Sequence, residues 1–507
     1  MLSRNQSYPA NQNIPRLEQN LALANKFKNI EEYLKLPEIG YQLLPFNFHR
    51  LPDATYICVN MVGEFVCLKK NELNSLVNQG IQPTNPLYDT LKSKHIIMDQ
   101  DSNVALDLLA LKYRTKQNRV SQFTSLHMFV VTLRCDYTCK YCQVSRQTED
   151  IEAFDMSEDT AIAALKLMFM SPSKSLKIEF QGGEPLLNFK LIKYIVTSAL
   201  ELNLTEKREI QFVITSNLSF LDQEILKFCF DHDIYFSTSL DGQEELHNKN
   251  RPRPNKDGYK KTIEGIRKIQ NYLGPQKVSA LMTTTADSLY EPKKIIDEYV
   301  SLGLHSVFLR PISPYGFAIK TKQVEKYNID KWMEFYISGL EYIIELNRSG
   351  YFLTEQYAVI ILNKIFNPSN PGYVDLQSPA GIGISAVTYN YDGDIYASDE
   401  ARMLKEMGDE TFKLGNAHKN NYSEIFGAEI LFDSIEQSIP ESAPMCSECG
   451  LITYCGADPV YHYATQGDVV GKKPISFFCK KNTSIIEHIF QLLQNKDTRS
   501  ILEGWLN

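Results

Sequence analysis

Apolar and polar positions fall into a regular beat from Leu126 onward. Short apolar runs at 127–133, 176–181, 208–215, 234–240, 277–285 and 305–312 alternate with stretches of helical period at 158–170, 189–203, 221–232, 259–273, 290–302 and 331–348. A continuous apolar run bounded by turn residues reads as a strand buried on both faces, the pattern of a parallel sheet. Six strand–helix repeats therefore predict an α/β fold, an incomplete TIM-type (β/α)6 barrel over residues 124–350. Ser157 stands where a helix N-cap belongs, with Glu158 and Asp159 in the opening turn.

The pattern before the barrel differs. Residues 1–45 read as an N-terminal extension, polar at first and then of helical period from Leu21 to Leu36. Residues 46–116 hold a hairpin candidate, TYICVNMVGEFVCL, turning near Gly63, and then helix-like KKNELNSLVNQG and PLYDTLKSKHII. This strand-then-helix order predicts a small winged-helix-like α+β domain. Residues 351–507 make up a C-terminal domain.

At 507 residues the chain exceeds one ordinary core. The hydrophobic fraction of 43%, the lack of a span-length apolar run and the polar start MLSRNQSYPANQN predict a cytoplasmic protein with no membrane partner. Net charge is −8, and Lys and Arg are scattered among acids, which argues against a nucleic-acid partner. Ten cysteines in such a chain point to metals more than to disulfides. Seven fall in two groups, while Cys58, Cys67 and Cys229 stand alone and are expected as buried small hydrophobes.

The first group, Cys135, Cys139 and Cys142, lies directly after the first barrel strand in VVTLRCDYTCKYCQVSR. Three soft thiolates can hold an iron–sulfur cluster with one iron left open, and an open position is where a metal site does chemistry. The loop alone also fits a zinc site with a remote fourth ligand, or a redox pair at Cys139 and Cys142. Chemistry in parallel barrels gathers at the carboxyl ends of strands, and the unusual residues here do the same. Gln181-Gly182-Gly183-Glu184-Pro185 follows the second strand, Thr215-Ser216-Asn217 the third, Ser239-Leu240-Asp241-Gly242 the fourth and Arg310-Pro311 the sixth. A glycine pair lets a ligand approach the backbone, and a carboxylate beside it can receive an ammonium.

The cysteine spacing, with Tyr141 just before the last, resembles the signature of the radical S-adenosylmethionine (SAM) enzymes. The resemblance implies a 4Fe-4S cluster whose open iron chelates SAM. An electron from a low-potential donor such as flavodoxin or ferredoxin then cleaves SAM to methionine and a 5′-deoxyadenosyl radical that abstracts hydrogen. Gly182, Gly183 and Glu184 match the motif that binds the SAM amino group. Ser216, Asn217 and Ser239 match positions touching its carboxylate or ribose, and Arg310 is a further candidate there. Tyr141 matches the aromatic position whose backbone holds adenine. Ser216-Asn217-Leu218 departs from the family's usual Thr-Asn-Gly. The run HNKNRPRP, 247–254, resembles a loop following the fourth strand in peptide-modifying members, with simple solvation of its basic residues as the alternative.

The second group, in MCSECGLITYCG, spaces Cys446, Cys449 and Cys455, with Cys479 beyond. Four cysteines close a metal site, either zinc or a fully ligated cluster. Beside the barrel, the spacing resembles the C-terminal SPASM extension of radical SAM enzymes, which in full carries two auxiliary clusters. Ser398 stands where the family has a cysteine, and Cys455-Gly456-Ala457-Asp458-Pro459 lacks another. The resemblance then implies a SPASM/twitch-like domain with one auxiliary 4Fe-4S cluster on the four cysteines. Asp399 matches the proposed catalytic base of some relatives; an ordinary acid paired with Arg402 is the alternative.

The runs VVTLRCDYTCKYCQVSRQTED, IEFQGGEPLLNF and YNYDGDIYASDEARM resemble the maturases of His-Xaa-Ser repeat peptide systems, which are paired with a second radical SAM protein. That branch implies a ribosomally made precursor peptide as substrate, modified after hydrogen abstraction, and a second maturase as partner. The unit at 46–116 is similar to modules that bind a leader peptide as an added strand, though a packing domain that recognises nothing fits as well. Two other functions remain open: protein side-chain maturation of the sulfatase-activating type, and a non-catalytic peptide-binding or redox partner.

Overall fold

Continuous apolar strands become a single large sheet in the computed structural model, which describes residues 40–102 and 104–506. The helical period at 21–36 lies outside the described residues. After a short strand at Gln42–Leu43 that pairs with Ile97–Met98, β1 (Phe46–Arg50), β2 (Tyr56–Asn60) and β3 (Phe65–Leu68) form an antiparallel sheet in that order. The β2–β3 turn passes through Gly63 at φ +92°, a left-handed position that glycine takes without penalty. Helices Lys70–Val77 and Pro86–Ser93 cover this sheet through a small core of its own that includes Cys58, Val66, Leu76 and Leu91. A further helix, Ala105–Gln117, has no clear apolar stripe: Leu108 and Leu111 are exposed and Lys116 is buried.

The strand–helix repeats then appear in order. Strands β4 (Leu126–Thr132), β5 (Ser175–Gly182), β6 (Glu209–Thr215), β7 (Tyr235–Ser239), β8 (Val278–Thr283) and β9 (Leu309–Arg310) pair in parallel, each with the next. Ser157 caps the first intervening helix, Glu158–Phe169, its hydroxyl accepting from the Thr160 N–H at 3.1 Å. The sixth apolar run is split. Ser306–Val307 pairs with Thr354–Glu355, whereas β9 pairs with β8. The fully buried Glu355 carboxylate fastens the break, accepting from the Leu309 N–H at 3.1 Å, the Tyr336 hydroxyl at 2.6 Å and the Ala358 N–H at 2.7 Å.

The C-terminal segment is woven into the same sheet. β10 (Ala386–Tyr389) lies parallel to β4 on the side opposite β5, and β11 (Asp394–Tyr396) and β12 (Lys413–Asn416) follow it antiparallel. The sheet order is β9-β8-β7-β6-β5-β4-β10-β11-β12. Among the described residues no helix is long and apolar enough to cross a membrane. Cys58 and Cys229 are buried as expected, but Cys67 is exposed, because the alternation along β3 turns it outward.

Candidate active site

β4 delivers the chain directly into the loop of Cys135, Cys139 and Cys142, and the three thiols line one cavity at the carboxyl end of the parallel strands. Segments distant in sequence pin the loop. The Thr138 N–H donates to the Pro252 carbonyl at 2.8 Å, the Lys140 N–H to the Asn250 carbonyl at 3.3 Å and the Phe317 N–H to the Cys142 carbonyl at 2.8 Å. Burial, with the neighbouring thiol second, pushes the Cys135 thiol well up; burial pushes Cys139 up to about 12 against the pull of Arg251. Thiols so raised ionise when a metal takes the proton's place.

In the run 247–254, Arg251 and Arg253 are largely buried, while Lys249 stays exposed. Arg251 pairs with the fully buried Asp241 at 3.1 Å and lies over the Tyr141 ring, 5.2 Å from its centroid. The Tyr141 hydroxyl donates to the same Asp241. Arg253 pairs with Asp136 at 2.9 Å and with Asp257 at 2.5 Å. The Asp241-Gly242 turn, unremarkable in sequence, is therefore a hub that fixes the cysteine loop from behind.

The glycine pair of β5 has a steric cause. A β-carbon at Gly182 would lie 2.0 Å from the Thr132 carbonyl oxygen, and one at Gly183 would lie 2.2 Å from that of Arg134. The close approach is made by the chain itself: the Gly183 N–H donates to Thr132 at 2.8 Å and the Glu184 N–H to Arg134 at 2.7 Å. Gly182 and Gly183 face the cavity, but the Glu184 carboxylate does not. It is fully buried, accepting from the Ser216 hydroxyl at 2.7 Å, the Asn217 N–H at 2.8 Å and the Leu186 N–H at 3.0 Å. Burial pushes it up to about 7 against those donors. Ser216, Asn217, Ser239, Tyr141 and Arg310 also line the cavity, and the Asn217 amide donates to Asp136 at 2.9 Å. Leu218, where the resemblance leads one to expect glycine, adopts φ +64° and fills a hole opened by Gly265, whose added β-carbon would meet the Leu218 Cβ at 2.6 Å.

Residues 129–308 match the sequence model of the Radical SAM superfamily. The chain carries a radical SAM domain. Over 185 residues it is 28% identical to an uncharacterized protein of Methanocaldococcus jannaschii, a match spanning 36% of this chain and 61% of that protein's length. It is 21% identical over 379 residues to the cysteine-type anaerobic sulfatase-maturating enzyme of Clostridium novyi, covering 71% of this chain and 94% of that one. The fold superposes on native anSMEcpe with bound AdoMet and Kp18Cys peptide at a TM-score of 0.62 and 17% identity, covering 74% of this chain and 99% of the other.

Beyond the radical SAM domain, Ser398 is buried and caps the helix Asp399–Lys405, its hydroxyl accepting from the Ala401 N–H at 3.2 Å. Asp399 pairs with the fully buried Arg402 at 3.1 Å, and Arg402 donates to the Val144 carbonyl at 3.1 Å, tying this helix to the cysteine loop. Asp399 and Arg310 line both the cysteine cavity and a second cavity of about 260 Å³ beside it. Cys455 lies near enough to raise the thiols of Cys446, Cys449 and Cys479, with burial the larger cause; Cys446 reaches about 11. Cys479 sits in the first turn of helix Phe477–Leu493, where the helix dipole favours negative charge. The buried Lys364 ammonium bridges the Leu376 and Cys455 carbonyls. Among the described residues no three His, Cys, Asp or Glu side chains converge on a single-ion site.

Proposed function

We propose that this chain is a radical SAM enzyme that abstracts hydrogen from a ribosomally made precursor peptide and so modifies it. The observation that carries the reading is three thiols at the end of β4 sharing a cavity with backbone and polar groups from the ends of β5, β6 and β7, next to a second cavity. A thiol trio fits a 4Fe-4S cluster with one open iron. Bound there with SAM, the cluster supplies one-electron cleavage of SAM and a hydrogen-abstracting radical. The protein's part is to hold and orient. Cys135, Cys139 and Cys142 would ligate the iron; the backbone of Gly182 and Gly183, with Ser216, Asn217, Ser239 and Arg310, would hold SAM; and Tyr141 would flank its adenine. Glu184 acts one step back, positioning Ser216 and Asn217. Asp399, on the wall between the cavities, is the proposed proton acceptor from substrate, its orientation held by Arg402.

Cys446, Cys449, Cys455 and Cys479 would hold one auxiliary 4Fe-4S cluster. Ser398 is occupied in capping, which supports leaving it out of any ligand set. Resemblance to the maturases of His-Xaa-Ser repeat systems supports the narrower substrate class. A second reading, side-chain maturation of a protein, is favoured by the match along 94% of the sulfatase-maturating enzyme of Clostridium novyi. Anaerobic reconstitution with iron and sulfide should give about eight irons per chain. Reduction with dithionite should release 5′-deoxyadenosine, and Cys139→Ala should abolish it. Undiminished release from Cys139→Ala would overturn the reading; modification of a sulfatase-type peptide but no precursor peptide would favour the second.

A further inference from the structure

The second cavity is walled by charged groups that three separate loops bring together: Asp375 before the Ser378–Pro379 turn, Glu400 in the first turn of its helix, and Asp458 at the cap of helix Pro459–Gln466. Each is surrounded by protein yet keeps some surface toward the cavity. Their mutual repulsion is plain. Burial first, and then the neighbouring carboxylates, push Glu400 up to about 7 and Asp458 well above the carboxylate range. Asp458 accepts from the Tyr461 N–H at 2.8 Å, but among the described residues neither Asp375 nor Glu400 closes an ion pair. The one lysine on the wall, Lys481, lies over the Tyr357 ring, 4.5 Å from its centroid, and Arg310 belongs to the rim shared with the cysteine cavity. Among the described residues the wall thus sets these three carboxyl groups against two cations, Lys481 and Arg310, and burial with mutual repulsion holds Glu400 and Asp458 toward the protonated form until a further cation arrives.

A second observation points to a missing ligand. The Tyr315 hydroxyl and the Trp332 indole N–H line the same cavity, each on a side chain no more than 2% exposed, and neither has a hydrogen-bond partner among the described residues. The Tyr315 hydroxyl is held well up by burial first and then by the nearby Asp458, Glu400 and Asp375. Buried donors and acceptors are nearly always paired, and a group left unpaired costs about 1–3 kcal/mol. A ligand with a cationic end would pair with the carboxylates, and the same N–H donors can reach the Tyr315 hydroxyl oxygen. The surrounding walls, Phe308, Tyr336, Tyr373, Phe477 and Phe478, suit an aliphatic or aromatic-flanked stem.

We propose that this cavity receives a basic side chain, lysine or arginine, of the substrate peptide, with Asp375, Glu400 and Asp458 as its acceptors. The inference rests on the radical SAM peptide reading for the role of the cavity, and it adds the charge of the side chain presented there. Nothing in the family match supplies the three acids, which lie outside residues 129–308.

The test uses the reconstituted full chain with SAM and three capped tripeptides, acetyl-Gly-Lys-Gly-amide and its Gln and Glu counterparts, titrated calorimetrically. The Lys peptide should bind at least about tenfold more tightly than the Gln peptide, about 1.4 kcal/mol. Asp375→Asn combined with Glu400→Gln should reduce that preference to within about twofold. Asp458→Asn, which keeps a residue able to cap its helix, should weaken it independently. Equal binding of Lys and Gln peptides, or tighter binding of the Glu peptide, would overturn the inference. SAM cleavage in the same samples keeps the two readings apart. Cleavage without Lys preference refutes only the charge assignment, and Lys preference without cleavage refutes only the radical SAM function.

Discussion

A β-carbon at position 183 would stand 2.2 Å from the carbonyl oxygen of Arg134, the residue just before Cys135. Gly183→Ala must displace either the β5 end or the start of the cysteine loop, and both carry the site. The expected result is loss of about four of eight irons on reconstitution, read by iron counting, with the C-terminal four retained. Gly265→Ala tests a different contact, since its methyl would strike the Leu218 side chain held at positive φ. Overpacking of this kind costs about 1–3 kcal/mol, measurable as a lower urea midpoint. Leu218→Gly would relieve the backbone strain but empty a buried site, so it should also destabilise.

At the scale of elements, the helix Asp399–Lys405 depends on its cap. Ser398→Ala should lower stability by about 1 kcal/mol and leave the iron count unchanged; a fall in iron would instead make Ser398 a ligand. Glu355 makes a pH prediction at the split strand. Burial holds its carboxyl above the usual 4.5, so its contribution is fully present below that value and lost as pH rises through the folded value. Glu355→Gln should flatten that stretch of the Tm against pH curve. The six repeats could be read from the sequence because a buried parallel strand is a continuous apolar run and its helix an amphipathic one. β1, reading Phe-Asn-Phe-His-Arg, is half exposed and carries no such run. β10 is four residues long, and its partner β4 lies about 260 positions upstream, so its register is set by tertiary packing alone. The cysteines and glycines were legible because each motif is local. Asp375, Glu400 and Asp458 were not, because only the folded chain brings their three loops together.

At the scale of the molecule, the N-terminal unit is clamped to the second cysteine loop. Tyr454 donates to the Gly63 carbonyl at 2.8 Å, the Asn47 amide donates to the Cys449 carbonyl at 3.4 Å, and a β-carbon at Gly450 would meet the Phe48 backbone at 2.4 Å. Cys449→Ala should therefore remove about four irons and also loosen residues 46–116, seen as faster proteolysis near the 93–104 segment. Unchanged proteolysis would mean that the clamp holds without its metal. The placement of β10 bears on how the protein is born. On the ribosome, β4 has a neighbour on one side only until residues 386–389 emerge, some 250 residues after it was made. At about 5–20 residues per second that leaves the strand leading into Cys135, Cys139 and Cys142 as an open edge for tens of seconds. Nascent chains stalled before residue 386 should accordingly need chaperone cover to keep that edge from pairing with other chains.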